Sequence, residues 1–221
     1  MSLAVAYEQP KFGFASRQCY DPTLLRTLDI AIAISGIVFL LPLIVAIAAI
    51  LAFQRGPVLI AHRRVGMGGR AFHCFKFRSM VVDAEQQLAR LLRDDPQARE
   101  EWMRDHKLRN DPRVTSFGRF LRRTSLDELP QLLNVLRGEM SIVGPRPIVD
   151  AEIARYGRRI ANYYRVKPGI TGIWQVSGRN DVDYRTRVAM DCLYAKSARP
   201  SLYIWLVLAT VPAVLSRRGS Y

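Results

Sequence analysis

Two adjacent acids, Asp127 and Glu128, stand in the stretch SLDELPQLL (residues 125–133), behind Arg119, Arg122 and Arg123 and ahead of Pro130. Neighbouring hard oxygen donors are what Mg²⁺ takes alongside substrate phosphates. A carboxylate in a cationic field stays ionised, and it can attack phosphorus once cations neutralise the charge between them. The same residues also read as an ordinary helix start. Ser125-x-x-Glu128 has capping-box spacing. Acids in a first turn complement the helix dipole. Leucines at 126, 129, 132, 133 and 136 mark one helical face, in a helix that ends at Gly138. On this segment alone both readings stand.

Three features weigh toward chemistry. Pro130 falls inside the helical pattern, where it removes a bond and bends the helix at a cost of up to about 3 kcal/mol. Local rule-breaking of that kind often marks function. Cationic neighbours lie on both sides: Arg122 before, and Arg146 after, between Pro145 and Pro147 in GPRP. The prolines hold Arg146 extended and stiff, which suits bidentate capture of a phosphate. In KFRSM, Lys76 and Arg78 lie two apart on one strand face, with Phe75 and Phe77 pointing opposite into the core. That alternation predicts a sheet with a cationic side toward a ligand. Arg179, in the tail of PGITGIWQVSGR, is a further candidate anion contact. This stretch is no Walker loop, because G-x-x-x-x-G-K-[ST] is missing, and it reads as a turn-rich hairpin.

The rest of the chain must position these groups. Its 221 residues suit one domain, or a domain with an attachment. With 33 Lys+Arg against 19 Asp+Glu the net charge is +14, so the surface seeks phosphate in nucleic acid, lipid or substrate. Cys19, Cys74 and Cys192 are far apart and form no CxxC, which points to free thiols in a reducing compartment. His62, His73 and His106 show no ligand spacing, so no zinc site is expected.

The stretch Ile30 to Phe53, IAIAISGIVFLLPLIVAIAAILAF, has 24 residues and no charge. It is long enough to cross a bilayer. Pro42 divides it, and each half of about a dozen residues reaches only roughly 18 Å. Two membrane readings follow: a straight helix crosses, and a helix bent at Pro42 dips in and returns to the same face, the second being favoured because crossing would strand the N-terminal residues outside. Arg26 and Asp29, three apart, are expected to pair at the entry. Beyond Arg55 the pattern is that of a domain lying on the membrane. Two short strands flank a GMGG turn at 66–69. A polar helical stretch breaks at Asp95-Pro96. A short helix follows DPRVT, and YGRRIANYYRVKPG reads as a basic helix. A last apolar stretch, Leu202 to Leu215, is too short to span and is expected to pack on the domain or lie at the interface.

KFRSM, DPRVT, LRRTSLDELPQLLNVLRGEMSIVGPRP and KPGITGIWQVSGRND occur here in the order found in the bacterial sugar transferases, the monotopic phosphoglycosyl transferases. The resemblance runs from about residue 25 to the end of the chain, and the ending VPAVLSRRGSY is similar to the exopolysaccharide branch that uses galactose- or glucose-1-phosphate. It implies an α+β, mostly helical monotopic fold. Residues 1–25 are a tail, 26–55 a re-entrant membrane helix bent near Pro42, and 56–221 a small-sheet cytoplasmic catalytic domain. It implies a UDP-sugar donor, undecaprenyl phosphate as acceptor, UMP as product and Mg²⁺ as cofactor. Asp127 matches the family nucleophile, which forms a covalent phosphosugar. Glu128 matches its metal-holding partner. Arg146 and Pro147 match the phosphate-binding pair, and Lys76, Arg122 and Arg179 fall on basic site positions. Leu25-Arg26 stands where the family often has Lys-Arg, and Leu41-Pro42 where it often has Ser-Pro, departures that touch membrane seating rather than the acids. The chain reads as the minimal catalytic form. The implied location is the inner leaflet of the bacterial inner membrane, with both termini cytoplasmic and downstream glycosyltransferases as partners.

Three alternatives remain at this level. In a ternary-complex mechanism Asp127 and Glu128 only hold Mg²⁺ and the lipid phosphate attacks directly. A basic membrane-tethered nucleic-acid binder fits the charge, but the aromatics do not interleave with Lys/Arg as in an RNA-binding motif, so no nucleic-acid partner is expected. A membrane scaffold for polysaccharide assembly is the third.

Overall fold

The computed structural model describes residues 22–105, 108, 110–178 and 182–215. The expectations for most of the N-terminal tail and for Arg179, Cys19 and His106 lie outside those residues.

The architecture is mostly helical with two small sheets, as expected of an α+β chain. Helix α1, Pro22–Phe53, is 32 residues long with Pro42 inside it. Both of its ends dock on the same domain. Near the N-terminus, Leu25 and Ala33 are buried in a core with Leu132, Val135, Tyr203 and Leu206. Near the C-terminus, Ile47 and Leu51 are buried against Phe77 and Leu121. Between them no residue from 34 to 46 is buried, and Val38 and Phe39 are 68% and 82% exposed. A helix apolar on all sides needs an apolar surrounding. It is long and apolar enough to cross a membrane.

Polar contacts fix each end. Arg26 donates to the carbonyls of Val135 (2.5 Å) and Leu136 (2.8 Å), the last turn of helix α5, Gln131–Arg137. A cation suits that end of a helix, where carbonyls lack partners. Asp29 accepts instead from the Ser141 hydroxyl, the Ile142 N–H and the Tyr203 hydroxyl. The expected Arg26–Asp29 pair is therefore replaced, because each side chain serves a different element. At the other end Arg78 donates to the carbonyls of Arg55 (2.8 Å) and Leu51 (3.2 Å).

Strands β1 (Leu59–Val65) and β2 (Ala71–Phe77) form the expected antiparallel hairpin, in register from Leu59↔Phe77 to Val65↔Ala71. Lys76 shares its face with Phe72 and Cys74, which are buried, while Phe77 is buried in another core cluster and Phe75 is half-buried under the Arg137 guanidinium. The sheet therefore does not split into a cationic and an apolar side, because helices cover both. Helices α2 (Ala84–Asp94) and α3 (Pro96–Asp105) break at Asp95-Pro96 as read. Helix α4, Ser116–Thr124, starts at Thr115, whose side chain accepts from the Gly118 N–H. A Cβ on Gly118 would collide with the Ser79 carbonyl, so only glycine allows this approach.

The second sheet corrects an expectation. PGITGIWQVSGR is not a hairpin. Gly169–Thr171 is strand β4, parallel to β3 (Ser141–Val143), and Ile173–Ser177 is a short helix, α8. A parallel pair needs a crossover. It is supplied by helices α6 (Ile153–Tyr156) and α7 (Ile160–Tyr163), so the expected single basic helix is broken at Gly157, where φ is +52°. Helix α9, Tyr184–Ser197, is capped by Asp183. Helix α10, Pro200–Leu215, packs on α1, α8 and the β3–β4 sheet and leaves Ile204, Trp205, Leu208 and Val211 exposed.

Candidate active site

The acids do not sit on a regular helix. Ser125 adopts φ +58°, ends α4 and makes no side-chain cap. Leu126–Glu128 form a single 3-10 turn, and α5 begins only after Pro130. The capping box and the proline-bent helix are both absent here. Proline opens a helix more easily than it continues one, and the left-handed residue turns the chain just before the acids. The pair therefore sits in a tight corner between two helices.

Strand β2 delivers Lys76 to this corner. Its Nζ lies 2.5 Å from Glu128 Oε1 and 3.6 Å from Asp127 Oδ2. Asp127 is 7% exposed. Among the described residues its carboxylate accepts no side-chain hydrogen bond, whereas Glu128 takes Lys76 and Gln131. Burial pushes the Asp127 carboxyl up, the Lys76 charge pulls it back, and the negative charge of Glu128 adds to the rise. Burial also pushes Glu128 up, but Lys76, Arg146 and the hydrogen bonds outweigh it and hold Glu128 below the usual carboxylate range. For Lys76 burial acts downward, and the two acids overcome it to raise the ammonium pKa. One proton-poor acid, one reluctant acid and one firm cation share the corner.

Two expected arginines join them. Arg122, on the last turn of α4, is held by Ser79, whose hydroxyl accepts from its Nε at 2.9 Å. Its positive charge acts on Asp127. Arg146 follows β3 in a loop clamped by backbone bonds: Gly144 N–H to Thr171, Gly169 N–H to Pro145, and Val65 N–H to Ile148, all at 2.8–2.9 Å. Pro147 is buried and lacks a backbone N–H, so it stiffens the loop that carries Arg146. The Arg146 charge reaches Lys76 and Glu128. Arg78 goes elsewhere. It is 4% exposed and bonded to the end of α1, past the last residue of β2. The expected same-face pairing of Lys76 and Arg78 toward a ligand fails for that reason.

Sequence reasoning missed several supports. Arg64 on β1 feels the charge of Arg146 and, chiefly through burial, has a lowered pKa. His62, two residues earlier, is lowered by partial burial and then by Arg64, Lys76 and Arg122. Their spacing of two on a strand was the available signal. Asn134 is fully buried and ties α5 to β2, accepting from the Phe75 N–H and donating to the His73 carbonyl. Nothing in the sequence marks that asparagine.

Chemically, the corner presents one carboxylate with no side-chain hydrogen-bond donor, a second held ionised, and the cations Lys76, Arg122 and Arg146. That arrangement attracts a diphosphate and can stabilise charge as a phosphorus–oxygen bond changes hands.

A family model described as bacterial sugar transferase matches residues 20–217. The chain is 51% identical over 198 residues to the UDP-galactose-lipid carrier transferase of Erwinia amylovora, covering 90% of this chain and 42% of that one. It is 47% identical over 197 residues to the exopolysaccharide production protein ExoY of Rhizobium meliloti (strain 1021), covering 89% and 87%. It is 40% identical over 218 residues to the UDP-glucose:undecaprenyl-phosphate glucose-1-phosphate transferase of Xanthomonas campestris pv. campestris, covering 95% and 42%. The chain thus spans under half the length of the first and third of these relatives and most of the second.

Proposed function

Because this chain belongs to the bacterial sugar transferase family, we propose that it moves a hexose-1-phosphate from UDP-galactose or UDP-glucose to undecaprenyl phosphate and releases UMP. This is a first membrane step of exopolysaccharide synthesis, and its product goes to downstream glycosyltransferases. The observation that carries the reading is the corner itself: Asp127, with no side-chain hydrogen-bond donor on its carboxylate, beside Glu128, with Lys76 between them and Arg122 and Arg146 acting on them.

Asp127 attacks the β-phosphorus of the UDP-sugar. A bond forms from its carboxylate oxygen to phosphorus, the bond to the bridging oxygen breaks, and UMP leaves. A phosphate oxygen of undecaprenyl phosphate then attacks the same phosphorus, and Asp127 departs as a free carboxylate. Lys76, Arg122 and Arg146 screen the negative charge that otherwise keeps carboxylate and diphosphate apart. Glu128, held ionised, keeps Lys76 in place. Asp127 and Glu128 are adjacent hard donors next to a phosphate-seeking cluster, which fits Mg²⁺. When bound, Mg²⁺ supplies charge neutralisation for the diphosphate and the leaving group.

In this reading α1 is re-entrant on the cytoplasmic leaflet of the bacterial inner membrane. A spanning helix puts its ends on opposite faces, about 30 Å apart. Here Asp29 near one end and Leu51 near the other both bond the same domain, and the apolar middle around Phe39 and Pro42 stands clear of it. The exposed face of α10 seats the domain at the same level.

The test is UMP release from UDP-sugars with undecaprenyl phosphate and Mg²⁺ in nanodiscs, for wild type and Asp127→Asn, with mass analysis of the protein before lipid is added. Release by wild type, loss in the variant and a phosphosugar mass on wild type alone support the covalent route. Release without any adduct favours the ternary complex.

A further inference from the structure

Ile60, His62 and Arg64 of β1 stand opposite Lys76, Cys74 and Phe72 of β2. Cross-strand partners and alternate residues share a face of a sheet, so Arg64 lies on the face that delivers Lys76 to the carboxylate corner. The two cations are four residues apart along the strands, roughly 14 Å. They mark opposite ends of the hairpin. Phe77, beside Lys76, packs on Ile47 and Leu51 at the end of α1. Val65, beside Arg64, belongs to the cluster of Ile148, Tyr156 and Tyr163, and its N–H bonds the Ile148 carbonyl at 2.9 Å. That bond ties the Arg64 end of β1 to the loop that carries Arg146.

Arg146 links the two ends. Its charge acts on Lys76 and Glu128 and also on Arg64. Both arginines are half-buried. Among the described residues neither guanidinium has a hydrogen bond or an ion pair. The nearby acids are engaged elsewhere: Asp150 takes Arg63 at 2.8 Å, and Glu152 accepts from the Val149 N–H at 2.9 Å. Two half-buried like charges without a counter-ion oppose folding. An anion from outside relieves them, and the guanidinium fork matches phosphate oxygens.

Position selects between the two phosphates that meet here. Displacement at phosphorus keeps the attacking and leaving oxygens roughly in line, so the leaving group lies on the side away from Asp127. From Asp127 the cations run through Lys76 and Arg146 to Arg64, which puts Arg64 on the leaving side. The lipid phosphate arrives at the membrane, and the α1 end of the hairpin is the Lys76 end. We propose that Arg64, together with Arg146, binds the phosphate of the uridylate half of the nucleotide sugar and holds UMP as it leaves. The inference rests on the transferase reading above and adds a substrate-binding residue to it.

The test compares the full chain as wild type, Arg64→Gln and Arg64→Lys in nanodiscs. It measures KM for the UDP-hexose, KM for undecaprenyl phosphate, and inhibition by UMP and by uridine, which has no phosphate. Losing a charge-assisted bond to phosphate is expected to raise the UDP-hexose KM and the UMP inhibition constant about tenfold in Arg64→Gln. The KM for the lipid and inhibition by uridine should stay within about twofold. Arg64→Lys keeps the charge without the fork and should recover part of the loss. If the lipid KM rises while UMP inhibition holds, Arg64 serves the acceptor phosphate and the proposal falls. If UMP inhibition is unchanged, or weakens in step with uridine, Arg64 does not hold this phosphate and the proposal falls. Should Arg64→Gln fail to fold, Arg64→Lys decides by the same comparison. Absence of UMP release from every UDP-hexose with wild type overturns the transferase reading, and this proposal with it.

Discussion

Asp29 and Asp127 are both buried aspartates, 2% and 7% exposed, yet the protein treats them in opposite ways. Asp29 accepts three hydrogen bonds at 2.8 Å on one oxygen, from Ser141, Ile142 and Tyr203. These donors come from β3 and α10, so one carboxylate joins two elements to α1. Asp127 accepts no side-chain hydrogen bond among the described residues and faces only a lysine at 3.6 Å, with arginines beyond. A buried carboxylate that gathers three donors from other elements is structure. One with charge around it and no side-chain donor on it has lone pairs left over, which the proposed role as a nucleophile needs. Burial alone does not separate the two cases; the partner list does.

The largest contrast is between activity and stability. On the proposed covalent route, Asp127→Asn is expected to lower UMP release by about 10³-fold or more, and to leave stability within about 1 kcal/mol, since burial already opposes its charge. Asp29→Ala is expected to do the reverse. Three donors lose their acceptor, and a loss of about 3–5 kcal/mol follows. Thermal melts in nanodiscs beside specific activity per folded protein check both. A large stability loss in Asp127→Asn would erase the distinction.

Asp191 tests a third kind of buried acid. Burial pushes its pKa up to about 7, against an ordinary value of 3.8. Because the folded value is the higher one, its contribution to stability is full below about pH 4 and is lost as pH rises through about 7. That is up to about 4 kcal/mol at 1.36 kcal/mol per unit. Melting temperature against pH should fall more steeply over this window in wild type than in Asp191→Asn. Equal slopes would place the charge of Asp191 outside the balance.

Asp127 should also show itself in the pH profile of kcat/KM. Its raised pKa puts the acidic limb above the ordinary carboxylate range, with the rate falling as pH drops and the nucleophile protonates. Lys76→Met removes the charge that restrains the rise, so the residual activity should have its limb at higher pH. A limb that stays put would separate Lys76 from Asp127. The smallest effect belongs to Arg63–Asp150, a 2.8 Å pair with both side chains over half exposed. Arg63→Gln should cost no more than about 0.5 kcal/mol, measured by the same melts.

Local patterns were legible in the sequence wherever short-range physics decides the outcome. The long uncharged stretch around Pro42, the hairpin around residues 66–69, the break at Asp95-Pro96, and the acids beside the arginines all follow from hydropathy, turn residues and charge order. What went astray depended on neighbours far along the chain. Ser125 through Pro130 resemble a capped helix, yet the packing of α4 and α5 turns them into a corner. GITGIW resembles a hairpin, yet Gly169 lies so close to Gly144 that β4 runs parallel to β3 instead. Arg26 and Asp29 are neighbours on one helix turn, yet each finds better partners more than 100 residues away.

The sequence alone determined which groups are present: a carboxylate pair, a stiffened arginine and an apolar segment long enough to cross a membrane, because composition and proline position act within a few residues. Only the tertiary structure decided their use. It sent Arg78 to the end of α1, brought Lys76 to Glu128 across 52 positions, and left Asp127 without a side-chain donor while Asp29 gathered three donors. The reason is that a charge in a low-dielectric interior is governed by whatever donor or counter-ion lies within a few ångströms, and nearness in space is set by packing rather than by position in the chain.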